Sequence, residues 1–291
     1  MAGYKITTDA TIDLPEGFAE DLGVTILPMI VEMGGQDYTI CGRDSTISAI
    51  AFFEHLEKGE VARTAQVTAA TFYQCFEEAF KEGLDVIHIS FSSALSKSYE
   101  ASVMCAEKIR KDYPDRKVYC IDSLCATGGH GLLVEAAVKK QKQGYSVDEL
   151  AEWVEDNKLD VAHWFTVGEL DTLLRGGRVS KASATIGTML NIKPIIHVDG
   201  EGRLIPVGKV HGRKKSLETL VQAYRENETG GPDSPVFISH GTCLEDVDRL
   251  KEMLMAEGAK DVRHGYVGPV IGAHTGPTVI TVHFFGDKNQ R

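Results

Sequence analysis

In the first half of the chain, short apolar stretches alternate with longer stretches whose apolar residues recur at helical spacing. Predicted strands are Tyr4 to Thr8, Val86 to Ile89 and Lys117 to Ile121, and predicted helices include Ala69 to Glu82, Tyr99 to Lys111, Gly128 to Gln143 and Val147 to Asn157. Strands that alternate with helices predict a parallel sheet with both faces covered. We therefore expect an α/β protein whose N-terminal domain is a doubly wound, mainly parallel sheet.

One part of the first half departs from this alternation. Val24 to Met33 is predicted to be extended and to return through Gln36 to Ile40 as a hairpin, with Gly34-Gly35 at the turn. Thr68 is the expected N-cap of the helix that starts at Ala69. Ser146 and Glu149 form a predicted capping box further along the chain.

The second half favours antiparallel pairing. Ile192 to Val198 and Leu204 to Val210 flank Asp199-Gly200-Glu201-Gly202, which is a strong hairpin signal. Val161 to Val167, Val236 to Ser239, Val262 to Tyr266 and Val279 to Phe285 are further predicted strands. We expect a C-terminal α+β domain with a mixed or antiparallel sheet, and place the two domains at residues 1–158 and 159–291.

The stretch Asp85 to Ser98 is the first candidate site. A buried strand runs into Ser90, Ser92, Ser93 and Ser96, and a helix follows. A strand that opens through hydroxyl residues into a helix can direct backbone N–H groups and hydroxyls at a small anion, such as a carboxylate or a phosphate. The alternative is that the serines form only a turn and an N-cap.

Composition and motifs exclude several classes of function. The formal net charge of −11 argues against a general nucleic-acid binder and against broad adsorption to an anionic membrane. The six cysteines form no C-x-x-C pair, no signal-peptide core precedes the first strand, and we expect a cytoplasmic protein. The histidines lack metal-ligand spacing, and no dinucleotide, P-loop or G-x-S-x-G motif follows a strand.

Short motifs recur in a fixed order along nearly the whole chain. They are Thr7-Thr8-Asp9, Arg63-Thr64-Ala65-Gln66, Ser92-Ser93-Ala94-Leu95-Ser96-Lys97-Ser98-Tyr99, Ile121-Asp122-Ser123, Leu174-Arg175-Gly176-Gly177-Arg178, Leu190-Asn191-Ile192-Lys193-Pro194-Ile195 and Val267-Gly268-Pro269-Val270-Ile271-Gly272-Ala273-His274-Thr275-Gly276-Pro277. In this order and spacing, the set resembles the DegV family of bacterial fatty-acid-binding proteins.

The resemblance implies a two-domain carrier that holds one long-chain fatty acid, such as palmitate, stearate or oleate, between its domains. Thr64, Ser93, Ser96 and His274 match the positions that meet the carboxylate. The resemblance further implies that a partner fatty acid kinase phosphorylates that carboxylate for phospholipid synthesis. On this reading the chain itself carries no catalytic residue, cofactor or metal, and it contacts membranes at most transiently.

The chemistry of these residues suits an ionised carboxylate. Neutral hydroxyls can pair with the charge, and a histidine can act as a donor or become a cation beside it. The alternatives are an N-cap or turn threonine at Thr64 and a backbone-bonded loop histidine at His274. Candidate tunnel residues near the motifs are Phe91, Leu95, Phe165, Ile192 and Ile271, with Leu27, Met29, Ile30, Leu190, Ile196 and Val270 in addition. Apolar residues of this kind more often belong to the ordinary hydrophobic core.

Charged residues add two further hypotheses. Arg175, Arg178 and Arg203 belong to local basic segments of an acidic chain. Such segments more often form a solvated face, and the functional alternative is a dock for a kinase or for phosphate. Asp9 and Asp122 follow strands, where capping or bonding to loop amides is expected in preference to acid–base chemistry.

Some positions depart from the family pattern. Ala65 stands where the family usually has serine, and Lys97 where it commonly has glycine. The ligand could therefore be another hydrophobic carboxylate, bound without a kinase partner. A further alternative is a small-molecule phosphotransferase that uses His274 or a serine, since hydroxyl loops also bind phosphate.

Overall fold

The computed structural model describes residues 3–15, 17–180 and 191–291. The strands are β1 (Tyr4–Asp9), β2 (Thr25–Leu27), β3 (Met29–Met33), β4 (Gln36–Ile40), β5 (Ala62–Ala65), β6 (Asp85–Ser90), β7 (Val118–Asp122), β8 (Val161–Thr166), β9 (Ile192–Val198), β10 (Leu204–His211), β11 (Val236–His240), β12 (Val262–Tyr266) and β13 (Ile280–Phe285). The helices are α1 (Phe18–Asp21), α2 (Ala49–Glu57), α3 (Ala69–Lys81), α4 (Ser98–Asp112), α5 (Thr127–Lys142), α6 (Val147–Asn157), α7 (Asp171–Arg175), α8 (Arg213–Asn227), α9 (Leu244–Ala256) and α10 (Pro269–Thr275).

A four-stranded parallel sheet in the order β2-β1-β6-β7 organises the first half. Successive residues of β6 point to opposite faces, so Val86 joins the core beneath α3 and α4, whereas Ile87 and Ile89 join the core beneath α5 and α6. Helices on both faces confirm the predicted doubly wound arrangement. Thr68 caps α3, and Ser146 with Glu149 forms the expected capping box of α6.

A small antiparallel sheet in the order β4-β3-β5 lies beside the parallel one. The stretch predicted as one extended segment from Val24 divides at Pro28, with β2 in the parallel sheet and β3 in the small sheet. The third strand, β5, pairs Thr64 with Val31. It is four residues long and alternates half-buried with exposed positions, which is why its sequence carries no clear strand signal.

The second half is built on a six-stranded sheet in the order β10-β9-β8-β13-β11-β12, in which only β11 and β12 are parallel neighbours. This confirms the predicted mixed sheet. Helices α8 and α9 cover one face, and α5 lies between the other face and the parallel sheet. The largest core cluster draws residues from both halves, from Phe52 and Phe53 to Phe165 and Val270. The division at residue 158 stays a prediction.

Helix α10 is a short helix formed by the Gly-Pro-Val-Ile-Gly-Ala-His-Thr motif. Pro269 occupies its first turn, and Gly276, at a φ of +77°, ends it. The helix packs against β3, β5 and α2, which belong to the first half of the chain. This packing carries residues near the end of the chain to Thr64. Within the described residues, no helix has both the length and the apolar character required to cross a bilayer.

Candidate ligand-binding cavity

A cavity of about 500 Å³ lies between the parallel sheet, the small sheet and the six-stranded sheet. Its volume falls within the range of small-ligand pockets, roughly 300–1,000 Å³. Six of the tunnel candidates predicted from the sequence lie on its wall: Met29, Phe91, Leu95, Phe165, Val270 and Ile271. Further apolar wall residues are Ala126, Leu173, Val198, Leu204, Val267 and Val279.

The other tunnel candidates that the structure describes lie away from this wall. Among the described residues, the wall does not include Ile192, Leu27, Ile30 or Ile196. Ile192 stands at the start of β9, whereas the end of that strand, Val198, reaches the cavity. Ile196 is fully buried in the main core, and Leu190 lies outside the described residues.

The hydroxyl loop, residues 91–98, crosses one side of the cavity. Its backbone N–H groups are largely used to hold the loop itself: Phe91 N donates to Asp9 Oδ2 (2.8 Å), Ser92 N to Cys125 O (3.1 Å) and Ser93 N to Asp122 Oδ1 (3.1 Å). The backbone N–H groups that a strand-to-helix turn was expected to offer an anion are therefore largely hydrogen-bonded to other protein groups. Ser93 and Ser96 both line the cavity, so hydroxyls are what the loop offers a ligand. Ser96 Oγ also accepts from Ser98 N (3.2 Å) and lies 3.1 Å from Ser98 Oγ, which fixes its position.

Two of the residues predicted to bind the carboxylate are in contact with each other. Thr64 Oγ1, from β5, lies 2.9 Å from His274 Nε2, from α10, and both residues line the cavity. Burial, reinforced by the positive charge of Arg178, lowers the pKa of His274 to about 4. The imidazole is therefore neutral at pH 7 in this state of the protein.

Gly176 explains how closely α7 approaches this pair. A Cβ atom at residue 176 would overlap with His274 Nδ1, so a side chain there would displace the imidazole. The first glycine of the Arg-Gly-Gly-Arg motif thus makes room for His274.

Arg178, which was predicted to dock a partner protein, lies on the cavity wall instead. Its side chain is half-buried on the cavity wall, with Nε donating to Leu95 O (3.2 Å) and Nη1 to Gly176 O (2.6 Å). Burial lowers the pKa of the guanidinium, which nevertheless stays charged at pH 7. The predicted docking residue therefore faces the same cavity as the hydroxyls, and Lys97 lies on that wall as well.

The two other arginines proposed for docking are exposed. Arg175 lies at the end of α7. Arg203 lies after the β9–β10 turn, where it forms ion pairs with Asp199 (2.8 Å) and Glu201 (2.7 Å). Exposed pairs of this kind contribute about 0–1 kcal/mol.

A polar part of the wall was missed from the sequence. His163, His283, Thr127 and Thr281 line the cavity, and all four are nearly completely buried. His163 bonds to Val161 O (2.9 Å) and accepts from Ala126 N (3.1 Å), while Thr281 Oγ1 lies 2.7 Å from His283 Nε2. Burial lowers the pKa of His163 far below its usual value and that of His283 to about 3, so both rings are neutral. No cluster of His, Cys, Asp or Glu able to hold a metal occurs in the described part of the chain.

Comparison with known proteins decides the family. The family model described as uncharacterised proteins of the DegV family matches residues 4–287. A DegV domain-containing protein from Clostridium perfringens is 38% identical to this chain over the full length of both. The chain belongs to the DegV family.

Solved structures of DegV proteins share this fold. A Thermus thermophilus family member, described as fatty-acid binding, has a TM-score of 0.87 at 27% identity and covers 98% of this chain and 99% of its own. A Thermotoga maritima member, described as a lipid-binding protein, has a TM-score of 0.85 at 26% identity with the same coverage. The family predicted from the ordered motifs is thus confirmed.

Proposed function

We propose that this chain is a cytoplasmic carrier that encloses one long-chain fatty acid in the cavity and presents its carboxylate to a partner kinase. The observation that carries the proposal is the composition of the cavity wall. Apolar side chains line most of it, while Thr64, Ser93, Ser96, His274 and Arg178 supply hydroxyl, imidazole and guanidinium groups. The lipid-binding and fatty-acid-binding relatives support the same ligand class.

The polar groups match the charge of a carboxylate. A fatty acid is ionised at pH 7, and burying its charge unpaired would cost several kcal/mol. Because His274 is neutral, the positive charge that we expect to pair with the carboxylate is that of Arg178, whose half-buried side chain is held by hydrogen bonds. With its proton on Nε2, His274 donates to Thr64 Oγ1, which leaves the Thr64 hydroxyl proton for the ligand. Ser93 and Ser96 supply the remaining donors.

The apolar wall supplies the affinity for the chain. Transfer of a palmitate chain from water would contribute on the order of 10 kcal/mol before ordering and association costs, at about 0.8 kcal/mol for each methylene. His163, His283 and Thr281 are neutral and bonded to neighbouring protein groups, whereas Thr127 Oγ1 and His283 Nδ1 have no hydrogen-bond partner among the described residues. We therefore expect little selection for charge along the chain of the ligand.

Kinase presentation is the finer part of the proposal. The protein would supply no catalytic group, and a separate fatty acid kinase would phosphorylate the bound carboxylate. Arg178 lies in the cavity wall, so Arg175 and Arg203, which are exposed, are the better candidates for docking that partner.

A paired ligand experiment tests the binding step. Delipidated protein is titrated with palmitate and with hexadecanol, which has the same chain length and no carboxylate. Tight uptake of palmitate and at least tenfold weaker uptake of the alcohol is the expected result. Failure to bind either ligand contradicts the carrier function, and equal binding contradicts the carboxylate clamp.

A second experiment tests presentation. A bacterial fatty acid kinase is given palmitate bound to wild-type protein, to Arg175→Ala, to Arg203→Ala or to the control Arg225→Ala, which removes an exposed arginine paired with Glu257 on α9's C-terminal side. We expect slower phosphorylation with one or both of the first two variants and no change with the control. Phosphorylation by the isolated protein, without a kinase, would contradict the carrier model.

A further inference from the structure

The β9–β10 turn closes one side of the cavity. Val198, at the end of β9, and Leu204, at the start of β10, both line the wall, and residues 199–203, here called the hairpin tip, join them. Asp199 Oδ1 accepts from the backbone N–H groups of Glu201 and Arg203, which fixes the tip internally. The tip is therefore an internally bonded turn that is joined directly to two wall residues.

One hydrogen bond connects the hairpin tip with the hydroxyl loop. Ser92 Oγ donates to Gly202 O over 2.8 Å, and both residues are buried. Gly202 has a φ of +75°, and a Cβ atom there would overlap with Ser92 Oγ and press on Leu124. Only glycine allows this approach without strain.

Arg291 lies outside the cavity and connects the end of β9, next to the hairpin tip, with the segment around Leu124. Its guanidinium donates to three carbonyl oxygens: Lys158 O from Nη1 (2.9 Å), Leu124 O from Nη2, and Val198 O from Nε (3.5 Å). These carbonyls come from the end of α6, the segment before α5 and the end of β9. A charged, planar donor suits such a three-way bridge because its N–H groups point in fixed directions.

The bridge also reaches the candidate carboxylate ligands. Leu124 adopts a φ of +53°, an uncommon conformation for a branched residue. Its N–H and that of Ser93 both donate to Asp122 Oδ1, at 3.1 Å each. Arg291 is thus connected through Leu124 and Asp122 to Ser93.

We propose that Arg291 is a positioning residue for the ligand cavity. Its guanidinium ties the hairpin tip to the segment around Leu124, and this tie sets how fast an enclosed acyl chain leaves. The inference rests on the proposed fatty-acid binding. Arg291 does not touch the ligand; it acts through Val198 and Leu124.

The test measures release of a bound ligand. A fluorescent long-chain fatty acid is loaded onto the full chain, and its transfer to excess phosphatidylcholine vesicles is followed by stopped flow. We expect Arg291→Met to release it roughly tenfold faster, with association changed less than about twofold. Arg291→Lys should fall between, because one ammonium cannot bridge three carbonyls. Arg225→Met is the control and should match wild type.

A glycine pair provides an independent arm. Gly202→Ala should speed release as Arg291→Met does, because it forces the tip away from Ser92. Gly200→Ala lies in the same tip, where the new Cβ would meet nothing closer than 3.8 Å, and should not. If both Arg291→Met and Gly202→Ala bind the fatty acid and release it at the wild-type rate, the inference is wrong while the proposed function stands. If the wild-type chain takes up no fatty acid, both are overturned.

Discussion

Thr64 and His274 are 210 positions apart in the chain, and their side chains lie 2.9 Å from each other on the cavity wall. The contact exists because the short strand β5 and the short helix α10 pack together. It joins a hydroxyl and a neutral imidazole at the part of the wall where we propose that the carboxylate binds.

Substitution of this pair should weaken ligand binding and leave the fold intact. Thr64→Val keeps the shape and removes the hydroxyl, and His274→Ala removes its partner. We expect each to weaken palmitate binding by about tenfold, the value of a hydrogen bond to a charged group. Fluorescence titration checks affinity and circular dichroism checks the fold. Thr229→Val, at an exposed position, is the control. If the variant that combines Thr64→Val with His274→Ala binds palmitate with wild-type affinity, these residues do not bind the carboxylate.

Gly176 should be sensitive to the smallest possible substitution. Gly176→Ala introduces a Cβ atom that overlaps with His274 Nδ1 and moves the imidazole away from Thr64. We expect affinity for palmitate to fall about as much as in His274→Ala. Gly3→Ala, where the new atom meets nothing within 4 Å, should have no effect. Titration of both variants provides the comparison, and normal binding by Gly176→Ala would show that His274 need not hold its position.

Asp9 should matter for stability because it anchors the hydroxyl loop. Its buried carboxylate accepts from Phe91 N (2.8 Å), Thr11 N (3.1 Å) and Thr11 Oγ1 (2.5 Å). Asp9→Asn would direct an amide donor towards existing donors, so we expect the free energy of unfolding to fall by about 3 kcal/mol. Urea denaturation measures this, with Asp115→Asn at an exposed position as the control. A loss below 1 kcal/mol would contradict the anchoring role.

His88 predicts a pH dependence of stability. It is fully buried against Phe72 and Phe76, and burial lowers its pKa from 6.5 to about 4. Between these values the unfolded chain binds the proton and the folded chain does not, so the stabilisation present above pH 6.5 is lost as the pH falls towards 4. From pH 7 to pH 5, this histidine should account for about 2 kcal/mol of the loss.

The slope of stability against pH tests His88 independently of its packing. His88→Met should show a smaller loss between pH 7 and pH 5 in urea denaturation, whatever its stability at pH 7. His211→Met, at an exposed position, should keep the wild-type slope. An unchanged slope in His88→Met would show that His88 does not titrate as a buried neutral group.

The sequence predicted most of the elements and the ordered motifs, and two physical reasons explain what it missed. A periodic pattern of apolar residues can be recognised only in an element of sufficient length. For this reason α3, α4 and the parallel strands were predictable, whereas β5 and α10, with four and seven residues, were not. Orientation depends on tertiary packing. The sequence could not show that Arg178 turns into the cavity while Arg175 stays exposed, nor that Val198 lines the wall in place of Ile192. The sequence signal that could have indicated the orientation of Arg178 was its place directly after two glycines in Arg-Gly-Gly-Arg.

Native mass spectrometry of protein purified without denaturation or added lipid tests the central claim most directly. We expect a dominant species heavier than the bare chain by the mass of one fatty acid, and gas chromatography of the extracted lipid should identify that acid. The bound species should be depleted in the variant that combines Thr64→Val with His274→Ala. A wild-type protein that carries no lipid, and that acquires none when incubated with palmitate or oleate, would contradict the account.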